Sequence, residues 1–340
     1  MLNNTDFEQS MITSNLFLCM VNTKIINNMV IEFKPFKSDK DIITKMRVNI
    51  QDKSLESITL CAVDIAVMNC VLTLISQQHT DNIQFTANDI LRVMAGNPLI
   101  KATSRKEDII TDSIEKLRKI FIRIDCTDEM LHRKHIRKKQ TAIFKSDLLP
   151  VKNITMLSGN HLYICDGYEL TQIPAIIEYA TKCRHVARIK NGYLCLSQMS
   201  DTMDNILLKR YLLFKIALIK NKKNNIQNVI SLSWHDTKMH CDKGLYNYLG
   251  YTRESFNSDQ AWRNKKSKLH EKIASLLDEY TKVGLINGYK RGWNNSLNAV
   301  LKYIITTTEN NAKKLENTES RKNSEWSALN LDALDIFCDD

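Results

Sequence analysis

Two long stretches of this chain, residues 60–150 and 205–306, carry the same succession of local periodicities, and that repetition limits the folds open to it more than any other feature. In the first stretch Ala62, Ile65, Ala66, Met68, Val71, Leu72 and Ile75 recur at helical spacing and predict a buried amphipathic helix over residues 60–77. Ile83-Gln84-Phe85 reads as a short strand. Thr86 has the chemistry of an N-cap for a second helix carrying Ile90, Leu91, Val93 and Met94, which Gly96 closes. After a loop with Pro98, a third helix opened by Ser104 or Asp108 aligns Ile110, Ile114 and Leu117. Residues 121–125 alternate apolar and charged side chains as a strand does. The almost entirely basic stretch 131–140 turns the chain, and residues 141–149 return as a second strand.

The order then recurs. Ile206, Leu207, Tyr211, Leu213, Phe214, Ala217 and Leu218 mark a helix over residues 205–220, followed by a short strand at 229–233 and a short helix at 243–249 ended by Gly250. A long helix spans residues 259–283 and stops at Gly284. Residues 285–289, the turn Lys290-Arg291-Gly292 and residues 299–306 complete a hairpin. Helix, strand, helix, helix and hairpin is the winged-helix order, and the two copies share it without sharing residue identity. The expected fold class is therefore α+β and helix-rich, with two tandem winged-helix domains and short β-hairpin wings. A single helical domain with decorations would give the same periodicities.

Five segments follow. Residues 1–59 are expected to be an N-terminal extension: the first 28 loose, a short strand at 29–36, then a linker or peripheral hairpin. Residues 60–150 are the first winged helix. Residues 151–204 are a β-rich junction, with 151–156 and 161–165 paired across Ser158-Gly159-Asn160 and a short helix at 174–182. Residues 205–306 are the second winged helix. Residues 307–340 are expected to be a disordered tail whose last stretch, from Ser324, carries only acidic charges.

The net charge of +10 directs attention to polyanions, nucleic acid first. The nine cysteines form no CxxC pair or zinc-finger spacing, and read as reduced thiols of a cytoplasmic protein, with Cys61 and Cys70 as small buried hydrophobes. No apolar run is long enough for a membrane span, and residues 11–33 lack the marks of a secretory signal. No phosphate loop, nucleophile elbow or His-apolar-His pair occurs. His132 and His135 sit in a basic run that would repel a cation, and an exposed polar turn accounts for His235, Asp236 and His240. The expectation is a protein with no catalytic residues, no metal and no cofactor.

The long helix carries the strongest functional signal. Trp262, Leu269, Ile273, Leu276 and Tyr280 share its inner face, while Arg263, Asn264, Ser267 and Lys268 point outward. Lys265, Lys266 and Lys272 flank the core, where long stems reach the surface. Such a ridge fits a major groove about 12 Å wide, with Arg263 and Asn264 suited to base edges and the lysines to phosphates. Lys290 and Arg291 would follow from the hairpin. The earlier helix mixes Asp108, Asp112 and Glu115 with Lys116 and Lys119, and so contacts DNA weakly or serves an intersubunit surface. The turn after it, with Arg133, Lys134, Arg137, Lys138 and Lys139 and no acid, suits a phosphate backbone or minor groove.

Several stretches resemble initiator-type proteins of Firmicutes mobile elements: Ile83-Gln84-Phe85-Thr86 through Gly96-Asn97, Ile114-Glu115-Lys116-Leu117-Arg118, Ile122-Arg123-Ile124-Asp125, Leu148-Leu149-Pro150-Val151-Lys152, and Pro174 through Ala180. Residues 265–277 with Gly284-Leu285-Ile286 resemble the same set, and the layout is similar to tandem winged-helix plasmid replication initiators. The resemblance spans residues 60 to about 305. It implies binding to repeated origin sequences in double-stranded DNA, recruitment of host replication proteins, and autorepression as a homodimer. The acidic outward face of the first candidate recognition helix departs from that picture.

Ala333-Leu334-Asp335-Ile336-Phe337 resembles the peptide by which bacterial proteins dock on the sliding clamp, with Ala333 where Gln is usual. Leu334, Ile336 and Phe337 would be its anchors. Two other functions remain open on sequence: a transcriptional regulator of the same element, and a nuclease or hydrolase whose site carries no familiar motif.

Overall fold

A computed structural model describes residues 8–14, 20–35, 41–78, 83–100, 102–157, 163–220, 228–232, 244–294 and 299–307. The architecture is mixed helix and sheet. The chain divides into two compact units. Residues up to Arg210 form the first, and from Tyr211 onward the chain belongs mainly to the second.

The first unit is built around α1 (Ala62–Gln78). The expected amphipathic pattern gives way to burial on every side from Asp64 to Leu74. A helix enclosed all round must have its polar groups satisfied internally. Asn69 and Thr73 meet that demand by accepting the Ile12 and Ser10 backbone N–H groups at 2.8 and 3.0 Å. Those two residues lie on β1 (Glu8–Ile12), which pairs antiparallel with β11 (Val186–Lys190). Residues 8–12, expected as loose extension, are thus anchored to the central helix. Residues 24–26 form β2 (Lys24–Ile26), paired with β5 (Ser57–Thr59).

The segment expected as linker or peripheral hairpin holds a central strand. β3 (Met29–Phe33), β4 (Thr44–Ile50), β7 (Ile120–Asp125) and β8 (Ile143–Asp147) form an antiparallel sheet in that order. In β4 the buried Thr44, Met46, Val48 and Ile50 alternate with the more exposed Lys45, Arg47 and Asn49, a half-buried strand pattern.

A second sheet has the order β6 (Gln84–Phe85), β10 (Tyr163–Leu170), β9 (Val151–Leu157). The hairpin that completes the sheet begun by residues 84–85 is therefore β9–β10, not the β7–β8 pair expected to be the wing. The turn expected at Ser158–Asn160 lies outside the described residues. Between β6 and β7 run α2 (Ala87–Ala95) and α3 (Ser104–Leu117). Thr86 caps α2 as expected, within a reciprocal capping box. Its Oγ accepts the Asp89 N–H at 3.1 Å, and Asp89 accepts the Thr86 N–H at 2.9 Å. Of the two starts open for the third helix, Ser104 is the one realised. Between β7 and β8 lie α4 (Thr127–His132), which takes in the start of the basic stretch, and the loop formed by the rest of it. The unit also contains α5 (Ala175–Lys182), α6 (Gly192–Cys195) and the first part of α7 (Met203–Lys220).

In the second unit the remainder of α7 is followed by β12 (Val229–Ser231), α8 (Gly244–Tyr248), α9 (Asp259–Lys282), β13 (Gly288–Asn294) and β14 (Ala299–Thr306). Its sheet order is β12, β14, β13. Both units thus follow one scheme: helix, strand, helix, helix, then a hairpin whose second strand pairs with the first. The first copy carries β7, α4 and β8 as an insertion before its hairpin. Lys290, Arg291 and Gly292, expected at a turn, lie within β13.

Candidate nucleic-acid interface

α9 begins where Ser258 accepts the Ala261 N–H at 3.1 Å. Leu269, Ile273, Leu276, Leu277 and Tyr280 are buried. Trp262 is half-buried, its ring 5.5 Å from that of Tyr246 and 5.2 Å from that of Phe256. Arg263, Asn264, Ser267, Lys268 and Lys272 are exposed. Lys265 and Lys266 are half-buried over aromatic faces, with ammonium-to-ring distances of 4.4 Å to Tyr251 and 5.0 Å to Trp262. These rings hold both stems to the flanks and leave the outer ridge to Arg263 and Lys268. Neither of those two forms an ion pair among the described residues. Gln260 Nε2 donates to Asn264 Oδ1 at 2.9 Å and orients that amide. Glu271 is the one carboxylate among residues 263–272, against five cations.

The ridge rests on a partly buried polar buckle. His270 Nε2 meets the Tyr246 hydroxyl of α8 at 3.1 Å, and its Nδ1 meets the Tyr303 hydroxyl of β14 at 2.9 Å. One tyrosine donates to the bare ring nitrogen and the other accepts from the ring N–H. Burial, then the positive charges of Arg291 and Lys266, push the His270 pKa down to about 4. The imidazole is therefore neutral near pH 7, and it ties the short helix, the long helix and the hairpin together. Arg291 on β13 and Lys266 on α9 are both close enough to oppose its protonation, so hairpin and helix share one cationic region. Tyr289 extends the buckle, donating to Asp278 Oδ1 at 3.0 Å.

A depressed histidine stabilises the fold fully at neutral pH. Between its ordinary pKa of 6.5 and about 4, the unfolded chain binds a proton that the folded chain refuses. The second unit is expected to lose about 2 kcal/mol as pH falls through that window, after discounting for partial exposure. His270→Gln should flatten that loss when urea midpoints are compared at pH 7 and pH 4.5. An unchanged slope would show that the imidazole is not the titrating group.

The first unit places its predicted cations differently. Lys116 Nζ lies 2.9 Å from Asp64 Oδ2, and Asp64, fully buried, also accepts from Ser113 Oγ at 2.6 Å. Lys116 thus serves the packing of α3 on α1. Lys119 pairs with Asp52 at 3.3 Å. Arg133 donates to the buried Glu129 at 3.0 Å. Lys134, Arg137, Lys138 and Lys139 are exposed, on the β7–β8 connection. Sequence reasoning passed over Arg105 and Lys106, which the start at Ser104 puts in the first turn of α3. The consecutive Thr103 and Ser104 were the available sign.

Leu334, Ile336 and Phe337, like His235, Asp236 and His240, lie outside the described residues. Among the described residues no three His, Cys, Asp or Glu side chains are grouped to hold a metal, and no helix is long and apolar enough to cross a membrane.

No family model and no curated protein matches this chain. Among solved structures it is similar to a crystal structure of RctB domains 2–3, covering 89% of this chain and 99% of that one at 11% identity and a TM-score of 0.43. A structure of a selenomethionine derivative of the same two domains aligns over 86% and 98%, again at 11% identity and a TM-score of 0.43.

Proposed function

We propose that the second unit is a winged helix that reads duplex DNA, with α9 in the major groove and the β13–β14 hairpin against the backbone. The observation that carries this reading is the outer ridge of α9. Arg263 and Lys268 stand exposed and without an ion pair among the described residues, on a helix whose other face is fixed by packing and by His270. A guanidinium left without a carboxylate in such a position is available to guanine edges or phosphate. The repeated pairing scheme supports a second winged helix in the first unit. Its third helix exposes Arg105 together with Asp108 and Asp112, which suits a weaker or different contact.

The resemblance noted in the sequence extends this reading to a biological role. On it, the protein starts replication of a plasmid or related mobile element by binding repeated origin sequences, and it acts by binding alone. Arg263→Ala and Lys268→Ala are each expected to weaken specific duplex binding by about 1–3 kcal/mol. A variant that removes only a phosphate contact should also lower the salt slope by about 0.9. Gel shifts with the DNA flanking the gene measure this, and unchanged affinity in both variants would refute α9 as the reader. Footprinting separates an initiator, which protects several direct repeats, from a regulator, which protects one operator.

A further inference from the structure

The solvent face of the four-stranded sheet β3-β4-β7-β8 carries a charge pattern that fold stability does not explain. Its register sets Arg47 of β4 opposite Arg123 of β7, and Arg123 opposite Lys145 of β8. All three are exposed, and none forms an ion pair or side-chain hydrogen bond among the described residues. Like charges directly opposite one another destabilise a sheet. The neighbouring row shows the stable alternative, with Glu32, Lys45 and Asp125 in alternating sign and Lys45 3.3 Å from Glu32. The same strands therefore neutralise one row and leave three adjacent cations in the next with no acid among them.

We propose that this face binds single-stranded nucleic acid, as a surface separate from α9. Adjacent strands are about 4.8 Å apart, so the three cations form a line across the sheet that one extended phosphodiester backbone can follow. Phe121 lies on the same face two residues from Arg123, half-buried, with a ring on which a base can stack. Val30, 50% exposed, extends the row beyond Arg47. Beyond Asp125 the chain leaves the sheet for the loop that carries Lys134, Arg137, Lys138 and Lys139, and it rejoins at Ile143. The row consists of strand side chains, with no helix among them to enter a duplex groove. Its line of cations instead fits a strand already separated from its complement.

The test uses the full chain and a fluorescent oligothymidylate, with a duplex of equal length alongside. The triple variant Arg47→Thr/Arg123→Thr/Lys145→Thr keeps strand-forming residues in place. It is expected to bind oligothymidylate about tenfold more weakly near physiological salt, with a salt slope lower by about 2, from roughly 0.7 per cation. Its melting temperature should equal or exceed that of the wild type, because the repulsion is gone. The Arg263→Ala/Lys268→Ala variant should lose duplex and keep oligothymidylate, so that the two surfaces fail independently. Unchanged oligothymidylate affinity in a folded triple variant would overturn the proposal. So would an equal loss on duplex, or a wild type that binds duplex alone.

Discussion

Replacing Glu129 with alanine is expected to remove about 3–5 kcal/mol from the stability of the first unit, the usual result of breaking a buried ion pair from one side. Glu129 sits on α4 with its side chain fully enclosed. It accepts from Thr44 Oγ1 at 2.9 Å, from the Tyr179 hydroxyl at 2.9 Å and from Arg133 Nε at 3.0 Å, and it lies 2.7 Å from His185 Nε2. One carboxylate thus joins β4, α4, α5 and the residue before β11. Without it two buried hydroxyls and one arm of a largely buried guanidinium lose the acceptor that Glu129 provides, and such losses are costly away from water. Burial would raise the carboxyl pKa. The hydrogen bond and charge of His185, with Thr44 and Tyr179, outweigh it and hold the group at about 2 against an ordinary 4.5. A depressed acid stabilises the fold above its unfolded pKa. This contribution, about 3 kcal/mol, should fade as pH falls from about 4.5 towards 2. Urea unfolding across that range checks both claims. A Glu129→Ala protein within 1 kcal/mol of wild type at pH 7 would dismiss the hub as incidental.

The second large effect is expected at Gly96, which ends α2 with a φ of +69°. A side chain there meets two costs. The left-handed backbone costs a residue with a Cβ about 1–2 kcal/mol. The new Cβ would also lie 2.7 Å from Leu194 Cβ and 2.9 Å from Asn191 Oδ1. Leu194 Cβ is fixed to the backbone of α6 and cannot swing away. Asn191 and Cys195 both donate to the Gly96 carbonyl, at 2.9 and 2.8 Å, so a shift of the helix end would disturb them too. Gly96→Ala is therefore expected to cost about 2–5 kcal/mol, overpacking added to backbone strain. Gly284, with φ +70° and open space where its Cβ would be, provides the comparison. Gly284→Ala should cost only the backbone part, about 1–2 kcal/mol. Equal losses at the two glycines by thermal melting would mean that α6 does not confine Gly96.

Much of the molecule was legible one segment at a time. The apolar spacing of residues 60–77 and 259–283, the Thr86 cap, the stop at Gly96 and the two faces of α9 all follow from interactions within a few residues. The strand at 44–50 was also open to such a reading, since Met46, Val48 and Ile50 alternate with more polar neighbours. The charged residues on either side obscured it. Arg263, Asn264, Ser267 and Lys268 are exposed opposite the buried Leu269, Ile273, Leu276 and Tyr280, because a helix wheel places each residue from sequence spacing alone; Lys272, expected at the flank, is exposed as well.

The sequence by itself determined the helices of the two repeated stretches and their order, and which helix face is cationic. Tertiary structure alone decided how the strands pair and what each cation meets. Residues 84–85 pair with the hairpin at 151–170 and not with the nearer 120–147, which separates the hairpin that completes their sheet from the basic loop. Lys116 meets a carboxylate 52 positions away, and Thr44 one 85 positions away. Periodicity is a local property of the backbone. A strand's neighbour and a side chain's counterion are set by which distant surfaces close over the same core, and the face that lines up Arg47, Arg123 and Lys145 exists only once that closure has happened.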